Sequence, residues 1–372
     1  MAGRNIVLCF DGTSNNVTGQ MTNVLRLYKM LERSDAQLAW YDSGVGTVVD
    51  PEGMTTFHRL TRRIIDFAIG FSIRRHFCAA YAFLAQNYRP GDQIYLFGFS
   101  RGAYTARALA GAIKLFGIPR PELAHLAELA WSIYANDAGI LNIQDRFGGS
   151  ERFRESFSIE VCPKVHFVGV WDTVSSYGWF GDLESLPHTR NNEVIEHVRH
   201  AIAIDERRAF FRQNRFEQSP EQLSFKQVWF AGCHSDVGGG YPEANSEAQT
   251  AFISLEWMLR EAEGLGLRIL DTNRKDGFKN HLPGPPNPKS IHESLTGKWK
   301  LVEFVPRRAF NSKKKRKAWR LPNFFKRRTI FDGKPVNGKV QTAETVHISV
   351  IERKEQTGYN PPNLPKDLPI ET

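Results

Sequence analysis

The chain has 372 residues, 41% of them hydrophobic and 24% charged, with 26 Phe and 8 Trp, a composition that excludes disordered and coiled-coil classes and leaves one large α/β domain or two smaller ones. The net charge of +9 is local: Arg307 to Arg328 holds 11 basic side chains and no acidic one, and the other 38 basic and 40 acidic residues balance to −2. That asymmetry speaks against a generally cationic nucleic-acid binder and for a single anionic docking surface.

Met1 to Asn5 leads into the apolar run Ile6 to Phe10, which is too short for a signal-peptide core, and Asp11-Gly12 ends it. Such a run meeting a turn reads as a strand buried on both faces. Val24, Leu27, Tyr28 and Leu31 have helical spacing; Leu38 to Tyr41 is a second strand. Ile73, Phe77, Tyr81 and Leu84 mark a long helix that closes at the turn Arg89-Pro90-Gly91-Asp92. Ile94 to Phe99 is the third strand, and Arg101 to Phe116 is a helix rich in small residues, with Gly117 as its stop. Val165 to Trp171 and Val228 to Cys233 bring the core to at least five strands, with a helix expected between them over His197 to Phe211. Phe252 to Glu263 reads as helix, His281 to Ser290 with its four prolines as loop, and Val346 to Ile351 as a last strand. From Glu352 onward, four more prolines predict an extended or disordered tail. The expected organisation is one α/β domain over 1–352, with 307–328 as an insertion, and a tail over 353–372. Its expected core is a mostly parallel sheet with helices on both faces. Cys9, Cys78, Cys162 and Cys233 lack metal-ligand or disulfide spacing and read as reduced core thiols. No apolar stretch reaches the length of a membrane span, so the expected compartment is the cytosol.

Gly98-Phe99-Ser100-Arg101-Gly102 fits GxSxG with a strand before it and a helix after it. Ser100 is then a nucleophile on a strained strand-to-helix turn, where the residues two before and two after must be small. The helix N-terminus favours negative charge, and the Arg101 N–H points where an oxyanion forms. Gly12, after the first strand, is the second oxyanion candidate, with an Asp-Gly turn capped by Asp11 and Thr13 as the plainer reading. A serine needs a base and a group that orients it. Asp172 ends the fourth strand and His234 follows the fifth, making them the first pairing; Asp236 with His347 is the alternative.

Together these residues amount to a resemblance. LCFDGT at 8–13, YLFGFSRGA at 95–103, VGVWDTV at 168–174 and HSDVGGGY at 234–241 resemble the α/β-hydrolase family that includes the phospholipase effectors of bacterial type VI secretion. IDERR at 204–208, IHESL at 291–295 and VHISV at 346–350 resemble family segments too. The resemblance implies an α/β-hydrolase-like fold, Ser100 as nucleophile with Asp172 and His234, and glycerophospholipid acyl esters as substrates; the serine mechanism requires no metal, and no cofactor is expected. It adds export by a specialised secretion system as an alternative to the cytosol.

Arg307 to Arg328 also carries Phe310, Trp319, Phe324 and Phe325. Cations mixed with aromatics suit an anionic membrane surface, each Lys or Arg contributing about 1 kcal/mol there. Phosphate contacts with nucleic acid and a solvated loop are the alternatives. A soluble carboxylesterase or thioesterase, and an idle hydrolase fold that only docks, are the competing functions.

Overall fold

The structure, a computed structural model, describes residues 3–12, 21–44, 71–136, 142–174, 177–179, 182–184, 186–208, 211–241, 249–278, 291–297, 300, 307–311, 316–320, 327–331 and 344–372. Its core elements are β1 (Asn5–Phe10), α1 (Asn23–Met30), β2 (Gln37–Asp42), α2 (Phe71–Asn87), β3 (Gln93–Phe99), α3 (Arg101–Phe116), β4 (Val165–Trp171), β5 (Ile195–Ala203), β6 (Ser224–Phe230), α4 (His234–Gly238), α5 (Gln249–Glu263), β7 (Thr345–His347), α6 (Ile348–Thr357) and β8 (Ile370–Glu371).

Eight strands form one sheet in the order β8-β7-β6-β5-β4-β3-β1-β2. Every neighbouring pair runs parallel. Helices cover both faces, which is why β1 reads as an unbroken apolar run. Ile6, Leu8 and Phe10 enter the layer of α2 and α3, while Val7 and Cys9 enter the opposite layer with α1 and α5. The fold is α/β, as the alternating elements lead one to expect. The strand order reverses between β1 and β3, and crevices at the carboxyl ends of strands at such a reversal are where ligands bind in open parallel sheets.

Several expectations are corrected. His197 to Phe211 is not a helix; Ile195–Ala203 is the strand β5, between β4 and β6. Its polar residues suggest a solvated helix face, but they lie inside with partners. His197 Nδ1 meets Ser224 Oγ at 2.8 Å, Arg199 Nε donates to Glu261 Oε2 at 2.5 Å, and His200 Nδ1 meets Gln227 Oε1 at 3.1 Å. Only the first part of Val346 to Ile351 is strand, because His347 accepts the Ser349 N–H and starts α6. The tail is not loose either: α6 runs to Thr357, and Ile370–Glu371 pairs with β7 as the sheet's edge. Cys9, Cys78 and Cys233 are buried, but Cys162 is exposed. The loop expected over 281–290 lies outside the described residues. No helix among the described residues is long and apolar enough to cross a membrane.

Beside the main sheet, strands Tyr177–Trp179, Asp182–Glu184, Arg307–Asn311 and Arg316–Arg320 form a smaller one. Within the basic segment, Arg307–Asn311 and Arg316–Arg320 therefore form an antiparallel hairpin, paired through Arg308 with Asp182 on the chain that leaves the end of β4. The side chains of 307–326 lie outside the described residues.

Candidate active site

Ser100 stands between β3 and α3 with φ 59° and ψ −119°, a backbone conformation that costs a side-chain-bearing residue about 1–3 kcal/mol. The turn holds it there. Its N–H donates to Trp171 O at 3.1 Å, while its carbonyl accepts from Val174 N at 3.4 Å. The two glycines meet the steric demand expected of them. A Cβ on Gly98 would lie 2.6 Å from Ala103 Cα, and one on Gly102 would overlap the Phe10 and Asp11 carbonyl oxygens. The serine thus sits at the carboxyl end of β3, beside the point where the strand order reverses.

Asp172 extends β4, the strand next to β3, and is likewise forced to a positive φ of 38°. His234 begins α4 after β6, so β5 lies between the strands that carry the two residues. The side chains span that gap: His234 Nδ1 donates to Asp172 Oδ2 at 2.6 Å, and the Ala203 N–H at the end of β5 donates to Asp172 Oδ1 at 3.0 Å. The imidazole lies against two rings, Phe99 at 4.5 Å and Phe211 at 4.8 Å between centroids. Phe99 directly precedes the serine, which puts the His ring beside the elbow. Among the described residues no hydrogen bond joins the Ser100 hydroxyl to His234; such contacts commonly tighten only around substrate.

The electrostatics separate the two titratable partners. Burial by itself would raise Asp172, but the Arg328 guanidinium and the His234 hydrogen bond outweigh it and hold the carboxyl below the usual range. Burial lowers His234, only partly opposed by Asp172. The pair at neutral pH is therefore a carboxylate and a neutral imidazole with a proton on Nδ1, which leaves Nε2 able to accept one.

Sequence reasoning missed the groups that frame this pair. Arg328, the last residue of the basic run, turns inward and donates through Nη2 to Asp172 Oδ2 at 3.0 Å and through Nη1 to Oδ1. Glu206 is buried against Arg208 at 2.8 Å and accepts the His234 N–H at 3.2 Å and the Ser294 hydroxyl at 3.0 Å. His200 accepts the Thr173 N–H at 3.3 Å, and burial pushes it down to about 3, so it braces the Asp172 turn as a neutral ring. The one signal for Glu206 and Ser294 is that they lie in the IDERR and IHESL segments. Arg328 is hidden among ten other cations.

Asp236 and His347 do not meet. Asp236 accepts from His292 Nδ1 at 2.6 Å and from the Cys233 N–H at 2.9 Å, which fixes the start of α4, where His234 stands. His347 stacks on Phe230 at 4.7 Å and caps α6. The Gly12 N–H donates to Asp11 Oδ1 at 2.6 Å, so serving an oxyanion would require it to turn away. Asp11 is further held by Tyr41 and Thr22, each at 2.7 Å. Arg101 is the first residue of α3, where backbone N–H groups favour negative charge. At the far ends of β4 and β5, His166, Glu196 and His197 bring ligand atoms within 4.8 Å of one another. Both His166 nitrogens face oxygens already, Glu196 Oε2 at 2.8 Å and Leu265 O at 3.0 Å, so the group is held together without an ion.

Residues 4–261 match the family described as the catalytic domain of type VI secretion phospholipase effectors, Tle1-like. The chain belongs to this family. An uncharacterised protein of Saccharomyces cerevisiae is 39% identical over 255 residues, which is 66% of this chain and 37% of the yeast protein. This chain therefore spans well under half of that relative. Two solved structures are similar at lower identity. An uncharacterised protein from Pseudomonas aeruginosa is 19% identical with a TM-score of 0.43, covering 73% of this chain and 47% of that one. The Tle1 effector bound to the VgrG spike of the type VI secretion system is 21% identical with a TM-score of 0.38, covering 64% and 51%.

Proposed function

We propose that this protein is a serine hydrolase of carboxylic acyl esters acting on glycerophospholipids, a phospholipase of the A type, with residues 1–352 as one catalytic unit. The observation that carries the reading is Ser100 on a strained strand-to-helix turn next to a buried carboxylate and imidazole 2.6 Å apart. In the reaction, Ser100 Oγ attacks the acyl carbonyl carbon while His234 Nε2 takes the hydroxyl proton. Asp172 stabilises the resulting imidazolium, and the Arg101 N–H stabilises the oxyanion. Collapse of the tetrahedral intermediate breaks the ester C–O bond, and His234 returns the proton to the departing lysophospholipid alcohol. Water, deprotonated by the same imidazole, then releases the fatty acid from Ser100. No step requires a metal or cofactor. Membership of the Tle1-like phospholipase family supports a lipid ester over a small soluble one. The hairpin over 307–320 is proposed to dock on an anionic lipid surface.

A fluorophosphonate should label Ser100 and no other residue, and mixed liposomes incubated with the protein should yield free fatty acid and lysophospholipid. Labelling without lipid products would favour a soluble esterase or thioesterase. No labelling would leave an idle fold. Replacing Lys313, Lys314, Lys315, Arg316 and Lys317 with Gln should weaken binding to anionic liposomes by up to about 1 kcal/mol per charge at low salt and leave turnover of a short soluble ester unchanged.

A further inference from the structure

Arg328 is buried and spends its guanidinium on four oxygens around the proposed triad. Nη1 donates to Asp172 Oδ1 and to Ala203 O at 3.0 Å, while Nη2 donates to Asp172 Oδ2 at 3.0 Å and to Phe211 O. Its own carbonyl accepts from Asn363 Nδ2 at 3.1 Å, and the same amide donates to Ile204 O at 3.2 Å. The arginine is therefore fixed at its backbone by the C-terminal segment and at its head by the ends of β4 and β5. Ala203, Phe211 and Asp172 are also the residues that place His234: the first anchors the carboxylate, the second packs edge-to-face against the ring and the third accepts its Nδ1 hydrogen bond.

We propose that Arg328 is a positioning residue for this chemistry, a buried cation that keeps Asp172 ionised and aimed at His234 Nδ1; the inference rests on the triad reading above. With His234 Nδ1, Arg328 Nη2, Arg328 Nη1 and the Ala203 N–H, each carboxylate oxygen takes two donors, so the carboxylate cannot rotate without losing several of them. A bidentate guanidinium fixes the plane of a carboxylate as a single ammonium cannot. The charge matters as much as the geometry. Other ionisable groups facing the pair are Glu206 and Arg208, which neutralise each other at 2.8 Å, and His200, a neutral ring behind Thr173 with Arg107 beyond it. Without Arg328, no cation among the described residues bonds the buried carboxylate directly. The Asp172–His234 pair would then hold its extra proton to higher pH, as the imidazolium or as the carboxylic acid, and in either form the base that activates Ser100 is lost.

The test measures the pH dependence of Ser100 labelling by a fluorophosphonate, and of kcat and KM on a short soluble ester, in the wild type, Arg328→Ala and Arg328→Lys. At pH 7, Arg328→Ala should label about 10-fold to 100-fold more slowly, the scale on which outer partners act in metal sites. Its acid limb should move up by about one unit or more, with KM little changed. Arg328→Lys should recover part of the rate, and millimolar guanidinium added to Arg328→Ala should restore labelling, which loss of structure alone would not allow. Should Arg328→Ala fail to unfold cooperatively, the lysine variant decides. A folded variant of either kind with the wild-type rate and the wild-type acid limb overturns the inference. The triad reading fails separately, and is recognised by a wild-type protein that does not label at Ser100 or by Asp172→Asn labelling as fast as the wild type.

Discussion

Replacing Asp172 with Asn removes a charge while keeping the shape of a side chain that accepts four hydrogen bonds. The Asn carbonyl oxygen can keep the Ala203 N–H and one contact with Arg328. Its amide nitrogen must then face both His234 Nδ1 and Arg328 Nη2, two donors that already point at that position. The imidazole answers by moving its proton to Nε2, the position that has to be empty for the base to work, and this tautomer change costs about 10⁴ in turnover in other triads. That is about 5.5 kcal/mol of lost transition-state stabilisation. Stability falls too. The Asp172 and Arg328 side chains are 1% and 5% exposed, so water does not screen the arginine left behind. Breaking a buried pair costs about 3–5 kcal/mol, and the bonds that Asn keeps should bring this to about 2–3 kcal/mol. At about 2–4 °C per kcal/mol, Tm should drop by roughly 5–10 °C. Stopped-flow hydrolysis of a p-nitrophenyl ester and differential scanning calorimetry of the same preparation read both quantities. A folded variant within about tenfold of wild-type turnover would refute Asp172 as the acid.

Three further outcomes follow from individual positions. Ser100→Gly should abolish ester hydrolysis yet raise the unfolding free energy by about 1 kcal/mol in urea titrations, because glycine adopts the φ of 59° without strain; a less stable variant would contradict the strained elbow. Gly102→Ala should lose about 2–3 kcal/mol along with activity, since its Cβ meets backbone oxygens of Phe10 and Asp11 that cannot swing aside, and near-normal stability would show that β1 yields. His347→Gln should leave ester turnover within a few-fold of wild type. Burial holds His347 down to about 4 against an ordinary 6.5, so the unfolded chain binds the extra proton as pH falls through 6.5, and native stability declines. The variant should therefore show about 2 kcal/mol less loss between pH 7.5 and pH 5; Asp172 adds nothing in this window, since its carboxyl is ionised in both states. An unchanged pH slope would mean that His347 is charged in the native protein.

Local sequence determined the α/β class, β1, β3, β4 and the elbow, because their causes are local. A strand buried on both faces needs an unbroken apolar run, and a serine on a tight turn needs glycine two residues to either side; both can be read within a window of ten residues. The pairing of Asp172 with His234 could be put forward because each ends a strand, although the count of strands between them was one short. Where polar residues lie inside, that reading failed. His197, Arg199 and His200 made β5 look like a solvated helix, because their partners Ser224, Glu261 and Gln227 come from β6 and α5 and no local pattern announces them. The same holds for the support of the site. Arg328 sits 156 residues from Asp172 and looks like any other cation of a basic run, and Asp236 finds His292 rather than His347. A charge run records composition alone. Which one of its members is drawn inside is decided when the folded chain presents a buried carboxylate whose desolvation only a neighbouring cation can offset.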